Sequence, residues 1–331
     1  MRRLVLASLA LGVLLGTLPA AALAPGEFTT YPLPVDPQIA AKEPRGIAYG
    51  ADGNLWFADY AGDAISRLTP AGVFTRFPLA ARPSPARPRD IVAAPDGTLW
   101  FTADDTVGAI DSTGVITEHT VAEGAMYLVA GPDDALWFTG SDAQQILRMT
   151  YDGAVTAVLT PAIGTIRELE FESPTVLWFA QSAGERVGRF DLESGQVEFI
   201  PIRFEFAAEA LAIAPDGTVW VSSSSGSEMA RITSDRTVRI FPIPTRATHA
   251  NDMEIGPDGQ VWFVESGGAK LGRISASGQI TEYPLPSPDS DSRHLSRGPD
   301  NTLWITDHRL DSIIRFEVPS IARTYLPFVS R

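Results

Sequence analysis

The chain has 331 residues, of which 44% are apolar and none is cysteine, and its formal net charge at pH 7 is −14. The absence of cysteine excludes disulfides, a thiolate metal site and a cysteine nucleophile. A surface with this excess of acid repels the phosphates of nucleic acids and anionic lipid headgroups, so we expect no nucleic acid partner.

The first segment, residues 1–22, predicts an export signal. Arg2 and Arg3 precede the apolar run Leu4–Leu18, and the small residues Ala20–Ala22 follow it. A basic start, a short apolar centre and small residues at a cleavage site are typical of a secretory signal peptide. The run is too short for a good membrane span, and no later run approaches the length of one. We therefore expect a secreted protein, periplasmic or extracellular, without a membrane span. Removal of the two arginines changes the formal charge from −14 to −16.

A unit of four short strands repeats along the rest of the chain, and Met253–Pro286 shows it most clearly. This stretch contains a short apolar run, a PDG turn, the run VWFVE, the segment LGRIS and, after a glycine turn, the run ITEYP. Short β-branched and aromatic runs joined by turns predict an antiparallel meander. One such sheet cannot bury both of its faces, so it needs copies of itself alongside.

Tryptophans mark the copies. They stand 44, 37, 41, 42, 42 and 42 residues apart, at Trp56, Trp100, Trp137, Trp178, Trp220, Trp262 and Trp304. Six follow a turn related to PDG, whose aspartates we expect to serve the backbone, and Ser173–Thr175 replaces this turn in the fourth copy. His119 takes the place of a fourth-strand tyrosine, which indicates an outer structural residue. Because about 40–45 residues is the period of a propeller blade, the sequence predicts an all-β, seven-bladed β-propeller of four-stranded antiparallel blades.

The N-terminal strand is predicted to close the ring. Phe28–Pro34 matches the fourth-strand sequence Ile280–Pro286, although no first strand precedes it. It must therefore complete the last blade, which removes the exposed sheet edges. Thr324–Pro327 is a competing candidate for this place. We prefer the N-terminal strand, which gives a propeller over residues 28–318 and a C-terminal tail over residues 319–331.

The repeat also predicts which residues share one face of the disc. Residues eleven before and three after each tryptophan should lie at the same end of a blade, opposite the PDG turns, with the first strand nearest the axis. Polar residues at these positions, and thirteen before the tryptophan, concentrate in blades six, seven and one, which are contiguous in a closed ring. They are His249, Asn251, Glu265, Asp291, Arg293, Asp307, Glu43, Arg45 and Asp59. We expect a small molecule or peptide to bind on this face.

Two interpretations of this cluster stay open. Its charges could neutralise one another in structural ion pairs, Arg45 with Asp59 and Arg293 with Asp307. Alternatively, the arginines that stand eleven residues before a tryptophan could hold an anionic ligand. These arginines are Arg45, Arg89, Arg167 and Arg293.

The repeat resembles that of the streptogramin lyases, also called virginiamycin B lyases. The resemblance is strongest at Gly256–Pro286 and extends over all seven blades. It implies a propeller that opens a cyclic depsipeptide by elimination, with Mg²⁺ as Lewis acid and a histidine as base. The implied site has a histidine eleven residues before each of the last two tryptophans, a glutamate two residues before the second histidine, and a glutamate three residues after the last tryptophan. In that order, these catalytic positions hold Asn251, Arg293, Asp291 and Asp307 here.

Both implied histidines are therefore absent. Asparagine cannot act as a base, and arginine stays protonated. His249 and His294 are candidate substitute bases, each one or two residues out of register, and a shift of one residue reverses the direction of a strand side chain. Mg²⁺ prefers carboxylate oxygens, and its candidate ligands are Asp291, Asp307, Glu265 and Asp59.

Three functions follow from these substitutions. The first is a monomeric, ligand-binding or scaffold propeller with lost or altered catalysis. The second is a Mg²⁺-dependent carbon–oxygen lyase that opens a cyclic ester with a relocated base, and the third is a metal hydrolase similar to the lactonase propellers. Carboxylates that approach one another within metal-ligand reach would favour an enzyme, whereas carboxylates paired with arginines would favour the binding protein.

Overall fold

The computed structural model describes residues 26–35, 42–81, 84–140, 144–159, 164–182, 185–204, 207–224 and 226–319. In these ranges the chain forms 28 β-strands and one short 3-10 helix, Ser266–Gly268. The predicted signal segment and the tail beyond residue 319 lie outside the described residues. Within the described ranges, no helix is long and apolar enough to cross a membrane.

The strands form seven four-stranded sheets. Strand β1 is Phe28–Pro32. Blade one contains β2 (Pro44–Tyr49), β3 (Leu55–Asp59), β4 (Ala64–Leu68) and β5 (Phe74–Pro78). Blade two contains β6 (Ile91–Ala93), β7 (Leu99–Ala103), β8 (Thr106–Ile110) and β9 (Ile116–Thr120). Blade three contains β10 (Leu128–Ala130), β11 (Ala135–Thr139), β12 (Ile146–Thr150) and β13 (Val155–Leu159).

The remaining blades repeat the arrangement. Blade four contains β14 (Ile166–Ser173), β15 (Val176–Gln181), β16 (Arg186–Asp191) and β17 (Gln196–Pro201). Blade five contains β18 (Ala208–Ile213), β19 (Val219–Ser223), β20 (Glu228–Ile232) and β21 (Val238–Pro242). Blade six contains β22 (Ala250–Ile255), β23 (Val261–Glu265), β24 (Lys270–Ile274) and β25 (Ile280–Pro284). Blade seven contains β26 (Ser292–Arg297), β27 (Thr302–Asp307) and β28 (Ser312–Glu317), together with β1.

The N-terminal strand closes the ring, as predicted. β1 pairs antiparallel with β28, and Tyr31 lies opposite Ile313. The order of the strands in this sheet is β1, β28, β27, β26, so the first described strand of the chain is the outer strand of the last blade. The competing segment Thr324–Pro327 lies outside the described residues.

The repeated tryptophans are buried in the second strand of each blade. Trp56 stacks on Phe77 of the fourth strand with ring centroids 5.3 Å apart, and Trp100 stacks on His119 at 6.1 Å, in agreement with the outer structural role predicted for that histidine. The turn aspartates also hold the indole, since Trp262 Nε1 donates to Asp258 at 2.9 Å. In blades one, three and six the turn thus serves both the backbone and the tryptophan.

A glycine in the third strand is required by the phenylalanine that follows the tryptophan. A Cβ on Gly272 would run into the ring of Phe263, and the same relation holds between Gly108 and Phe101. Both phenylalanines are fully buried between neighbouring blades. The LGRI segment of the repeat therefore carries glycine because the blades pack face to face at close distance.

The first strand contains an irregularity that decides where its side chains point. In blade one, Pro44 pairs with Asp59 and Ile47 with Phe57, so three steps along β2 match two along β3. The same shift occurs in blades four, five, six and seven. In each of these blades the residues eleven and ten before the tryptophan lie within the bulge, where the regular alternation of side chains is lost.

Candidate functional site at the mouth of the axial channel

First strands from all seven blades line an axial channel with a volume of about 360 Å³. The residues eleven before the tryptophans form a rim at one end of it, here called the mouth. The mouth consists of Arg45, Arg89, Met126, Arg167, Glu209, Asn251 and Arg293. The charges of Arg89 and Arg293, from the two neighbouring blades, affect the pKa of Arg45, and the charge of Arg293 in blade seven affects the pKa of Glu209 in blade five. Blades five and seven are not neighbours, so this interaction acts across the axis.

The ion pairs at the mouth differ from those considered in the sequence. Arg293 Nη2 lies 2.8 Å from Asp291 Oδ2, rather than pairing with Asp307. Asp59 pairs with Arg76 of β5, with Nε and Oδ2 3.6 Å apart. Arg45 has no ion pair among the described residues, and its guanidinium carbon lies 3.9 Å from the centroid of the Tyr60 ring. The interpretation in which Arg45 pairs with Asp59 and Arg293 with Asp307 is therefore wrong.

Three of the four candidate metal ligands are buried at the end of a second strand. Asp59, Glu265 and Asp307 are inaccessible to solvent, and they bind loops or outer strands of their own blades. Asp59 accepts from Gly62 N at 3.0 Å, and Thr248 donates to Glu265 Oε2 at 2.5 Å. Burial raises the pKa of Asp59 to about 6 and that of Glu265 to about 7.

The site does not fit the magnesium centre that the resemblance implies. A divalent cation at Asp291 would lie beside the guanidinium of Arg293, and like charges repel. Asp307 Oδ1 accepts from the backbone N of Asp291, Arg309 and Leu310, at 3.1 to 3.2 Å. Across the described ranges, no group of three or more histidines, aspartates and glutamates is placed to hold one metal ion. One observation points the other way, because Asp59 Oδ2, Glu265 Oε1 and Asp307 Oδ2 are each buried without a hydrogen-bond partner.

His308 lies between two carboxylates at the mouth. Its Nε2 is 3.3 Å from Glu43 Oε2, and its Nδ1 is 3.7 Å from Asp291 Oδ2. Asp291 in turn pairs with Arg293, so one connected group of charges joins blades seven and one. The polar residues of these blades were predicted as a binding face, but His308 was not among the predicted site residues. Its position directly after Asp307, at the end of a second strand, was the available signal.

The two histidines predicted as substitute bases lie apart from this group. His249 has a left-handed backbone with φ of 48°, and its carbonyl accepts from Ser266 N. His294 lines the channel below the mouth, with Nδ1 3.5 Å from Asp252 Oδ2. The expected reversal of its direction does not take it away from the axis, because His294 lies in the bulge of β26.

Below the mouth, three carboxylates form hydrogen bonds between neighbouring blades. Asp90, Glu168 and Asp252 stand ten residues before their tryptophans, in blades two, four and six. Each accepts a hydrogen bond from the first strand of the following blade: the donors are Leu128 N at 2.9 Å, Leu211 N at 3.0 Å and Leu295 N at 2.8 Å. In blades five and seven the donor leucine directly follows the bulge, which frees a backbone N–H that a regular ladder would use.

The channel raises the pKa of its acids. Burial raises the pKa of Asp90 to about 6, and burial together with the charge of Asp252 raises the pKa of Glu170 to about 7 and that of Glu254 to about 8. The acids of the channel were not among the predicted site residues. The available signal was a set of acids eight and ten residues before the tryptophan, inside otherwise apolar first strands.

Comparison with known proteins places this geometry in a family. The model of the virginiamycin B lyase family matches residues 21–156 and 120–326. The chain belongs to the virginiamycin B lyase family. A virginiamycin B lyase from Nocardia farcinica (strain IFM 10152) is 30% identical over 179 residues, which are 53% of this chain. The match spans 61% of that relative, less than two thirds of its length.

Solved structures agree in fold. A virginiamycin B lyase from Staphylococcus aureus, with selenomethionine, has a TM-score of 0.77 and 26% identity, over 87% of this chain and 99% of that chain. A catalytically inactive histidine-to-alanine variant of the S. aureus lyase with quinupristin gives a TM-score of 0.77 at 25% identity, with the same coverage. A streptogramin B lyase structure gives 0.78 at 24% identity, over 87% of this chain and 96% of that chain, which shows the fold alone.

Proposed function

We propose that this family member is an exported propeller that binds a ligand at the mouth, near blades six, seven and one, and that it has lost the ring-opening chemistry of the streptogramin lyases. One observation carries the proposal. The guanidinium of Arg293 occupies the position of an implied catalytic histidine and holds Asp291 at 2.8 Å. A single substitution thus supplies a group that cannot accept a proton and engages one of the two carboxylates implied for the metal.

The second implied histidine position supports the same conclusion. Asn251 has an amide side chain that cannot take up a proton at working pH, and its Nδ2 is buried without a hydrogen-bond partner. In the S. aureus lyase, a histidine-to-alanine variant is catalytically inactive. The proposed function therefore contains no proton abstraction at residue 251 or 293 and no step through Mg²⁺, which stays a sequence prediction.

The experiment uses the mature protein with Mg²⁺ and a cyclic streptogramin B, followed by liquid chromatography with mass detection. We expect unchanged substrate. A new peak of unchanged mass would reveal elimination, and a peak heavier by one water would reveal hydrolysis; either result overturns the proposal. The variant with Asn251→His, Arg293→His, Asp291→Glu and Asp307→Glu restores the implied set and should gain elimination that a chelator abolishes.

A second candidate function rests on His308. An imidazole between Glu43 and Asp291, at 3.3 and 3.7 Å, has the arrangement of an oriented acid–base group. It would serve a lyase that opens a cyclic ester with a relocated base. If the assay shows elimination, His308→Gln should abolish it, whereas His249→Gln, on a separate loop, should not.

Export and oligomeric state complete the proposal. The predicted signal segment, residues 1–22, supports secretion, and mass spectrometry of the protein recovered outside the cytoplasm should show a mature N-terminus after residue 22. The closing strand completes the last blade, and the outer strands of the blades are short, so we expect a monomer by light scattering.

A further inference from the structure

Arg45 is a cation at the mouth that forms no ion pair among the described residues, although the charge of Glu43 acts on it. Its guanidinium carbon lies 3.9 Å from the centroid of the Tyr60 ring, and that of Arg89 lies 5.2 Å from the same centroid. No carboxylate of the described residues pairs with Arg45, and its Nε is buried without a hydrogen-bond partner. Two guanidinium groups therefore share one aromatic ring, and only that of Arg89 has an acidic partner, Asp104 at 3.3 Å.

Arginines away from the mouth also leave Nε without a hydrogen-bond partner, but each has another polar partner; they are Arg67, Arg76, Arg231 and Arg273. Arg67 Nη1, for example, donates to Ser112 O at 2.9 Å. At the mouth, four buried donor nitrogens lack a hydrogen-bond partner: the Nε atoms of Arg45, Arg89 and Arg167, and Nδ2 of Asn251. An unpaired buried donor costs about 1–3 kcal/mol, so several of them around one opening indicate a missing acceptor.

The acids at the mouth have other partners. Glu43 acts on Arg45 through its charge, but its carboxylate lies 3.3 Å from His308 Nε2. Asp104 pairs with Arg89, Glu209 lies 3.7 Å from Arg167, and Asp291 pairs with Arg293. Burial, together with the charges of Arg89 and Arg293, lowers the pKa of Arg45. A bound anion would relieve both the repulsion among the arginines and the unmet hydrogen bonds.

We propose that the mouth binds a small anion with a carboxylate or phosphoryl group, held by Arg45 and flanked by Arg89 and Arg293. This inference rests on the proposed ligand-binding function and gives the chemical class of the ligand. A guanidinium presents paired N–H donors that match two oxygens of such a group. The channel below is lined by the acids Asp90, Glu170 and Glu254, which offer an anion no positive charge, so the ligand stays at the rim with its remaining part directed outwards.

Isothermal titration of the mature protein tests this class with malonate, inorganic phosphate and the neutral analogue malonamide, at constant ionic strength. We expect one equivalent of at least one anion to bind and malonamide not to bind. Binding of malonate alone identifies a carboxylate ligand, and binding of phosphate alone identifies a phosphoryl ligand. Arg45→Gln should weaken the anion about tenfold or more, since it removes a charged hydrogen-bond donor.

Arg239→Gln is the matched control. Arg239 is exposed on β21 and also lies over an aromatic ring, with its guanidinium carbon 4.9 Å from the Phe241 centroid. Equal weakening by both variants would show general attraction to positive charge and overturn the inference, as would unchanged binding to Arg45→Gln. If Arg45→Gln fails to fold, Arg89→Gln takes its place.

Failure of this inference is distinct from failure of the proposed function. Binding of malonamide as tight as malonate would overturn the anionic class, while ligand binding at the mouth would stand. Absence of binding by both anions would also overturn the inference. Turnover of streptogramin B is measured in a separate assay and bears on the proposed function alone.

Discussion

The mouth and the channel of this propeller are built from the same first strands but have opposite electrostatics. At the mouth, the guanidinium of Arg45 forms no ion pair with a described residue, and the charges of Arg89 and Arg293 lower its pKa. One to three residues further along the strands, the channel carries acids such as Glu170 and Glu254, whose pKa values burial raises to about 7 and about 8. The difference shows that a few residues along one strand separate a positively charged region from a region of acids that take up protons.

Both regions depend on the intact ring, and breaking a blade should give the largest effect. Trp262 is fully buried between blades six and seven and donates to Asp258. Trp262→Ala should lower the free energy of unfolding by about 3–5 kcal/mol, because it leaves a large cavity. Chemical denaturation measures this loss, with Trp262→Phe as a milder control. A decrease of less than about 1 kcal/mol in the free energy of unfolding would mean that each blade is stable independently of its neighbours.

The channel should make the protein more stable in mild acid. The pKa values of Asp90, Glu170 and Glu254 are raised in the folded state to about 6, 7 and 8, so the folded state binds more protons than the unfolded chain in this range. Stability therefore falls as pH rises through these values, and it recovers as pH falls towards the pKa of the unfolded acids. We expect a gain of up to about 6 kcal/mol between pH 8.5 and 5.5, since one pKa unit corresponds to about 1.4 kcal/mol. A higher free energy of unfolding at pH 8.5 than at pH 5.5 would contradict this sign.

A single channel acid should account for part of this dependence. Glu254→Gln removes the group whose pKa burial and Asp252 raise to about 8. We expect it to stabilise the protein by about 1–2 kcal/mol at pH 8.5 and to have little effect at pH 5.5, where Glu254 is already neutral. Glu193→Gln, on an exposed loop, is the control and should change stability at neither pH. Equal effects of Glu254→Gln at both pH values would indicate a packing change instead.

The mouth should show the smallest effects on stability. Without an anion, Arg45→Gln should leave the free energy of unfolding unchanged or raise it by up to about 1 kcal/mol, because it relieves repulsion from Arg89 and Arg293. Arg293→Gln breaks the pair with Asp291 and should lower it by about 0–1 kcal/mol. Thermal unfolding of both variants at low ionic strength measures the difference. A marked loss for Arg45→Gln would show that Arg45 has a structural partner.

Most of the fold could be predicted from the sequence. The spacing of the tryptophans and the PDG turns determined seven four-stranded blades, because each copy repeats the same order of strands, turns and buried tryptophan. The sequence of Phe28–Pro34 also determined the closing strand, since a fourth strand without a first strand can only complete another sheet. Both properties are local and periodic, so they can be recognised before any contact is known.

The candidate site was decided by the tertiary structure. Strand alternation predicted that a residue one position out of register, such as His294, would point away, but the bulge in the first strand cancels the alternation there. The carboxylates of Asp59, Glu265 and Asp307 were expected near a metal, whereas the structure buries them at the ends of second strands, where they contact loops and outer strands of their own blades. The residues thus determined by themselves how many blades form and which end of each blade is polar. Only the packing of the blades decided which side chains share the axis, because a bulge and its hydrogen bonds to the next blade are not encoded in any single repeat.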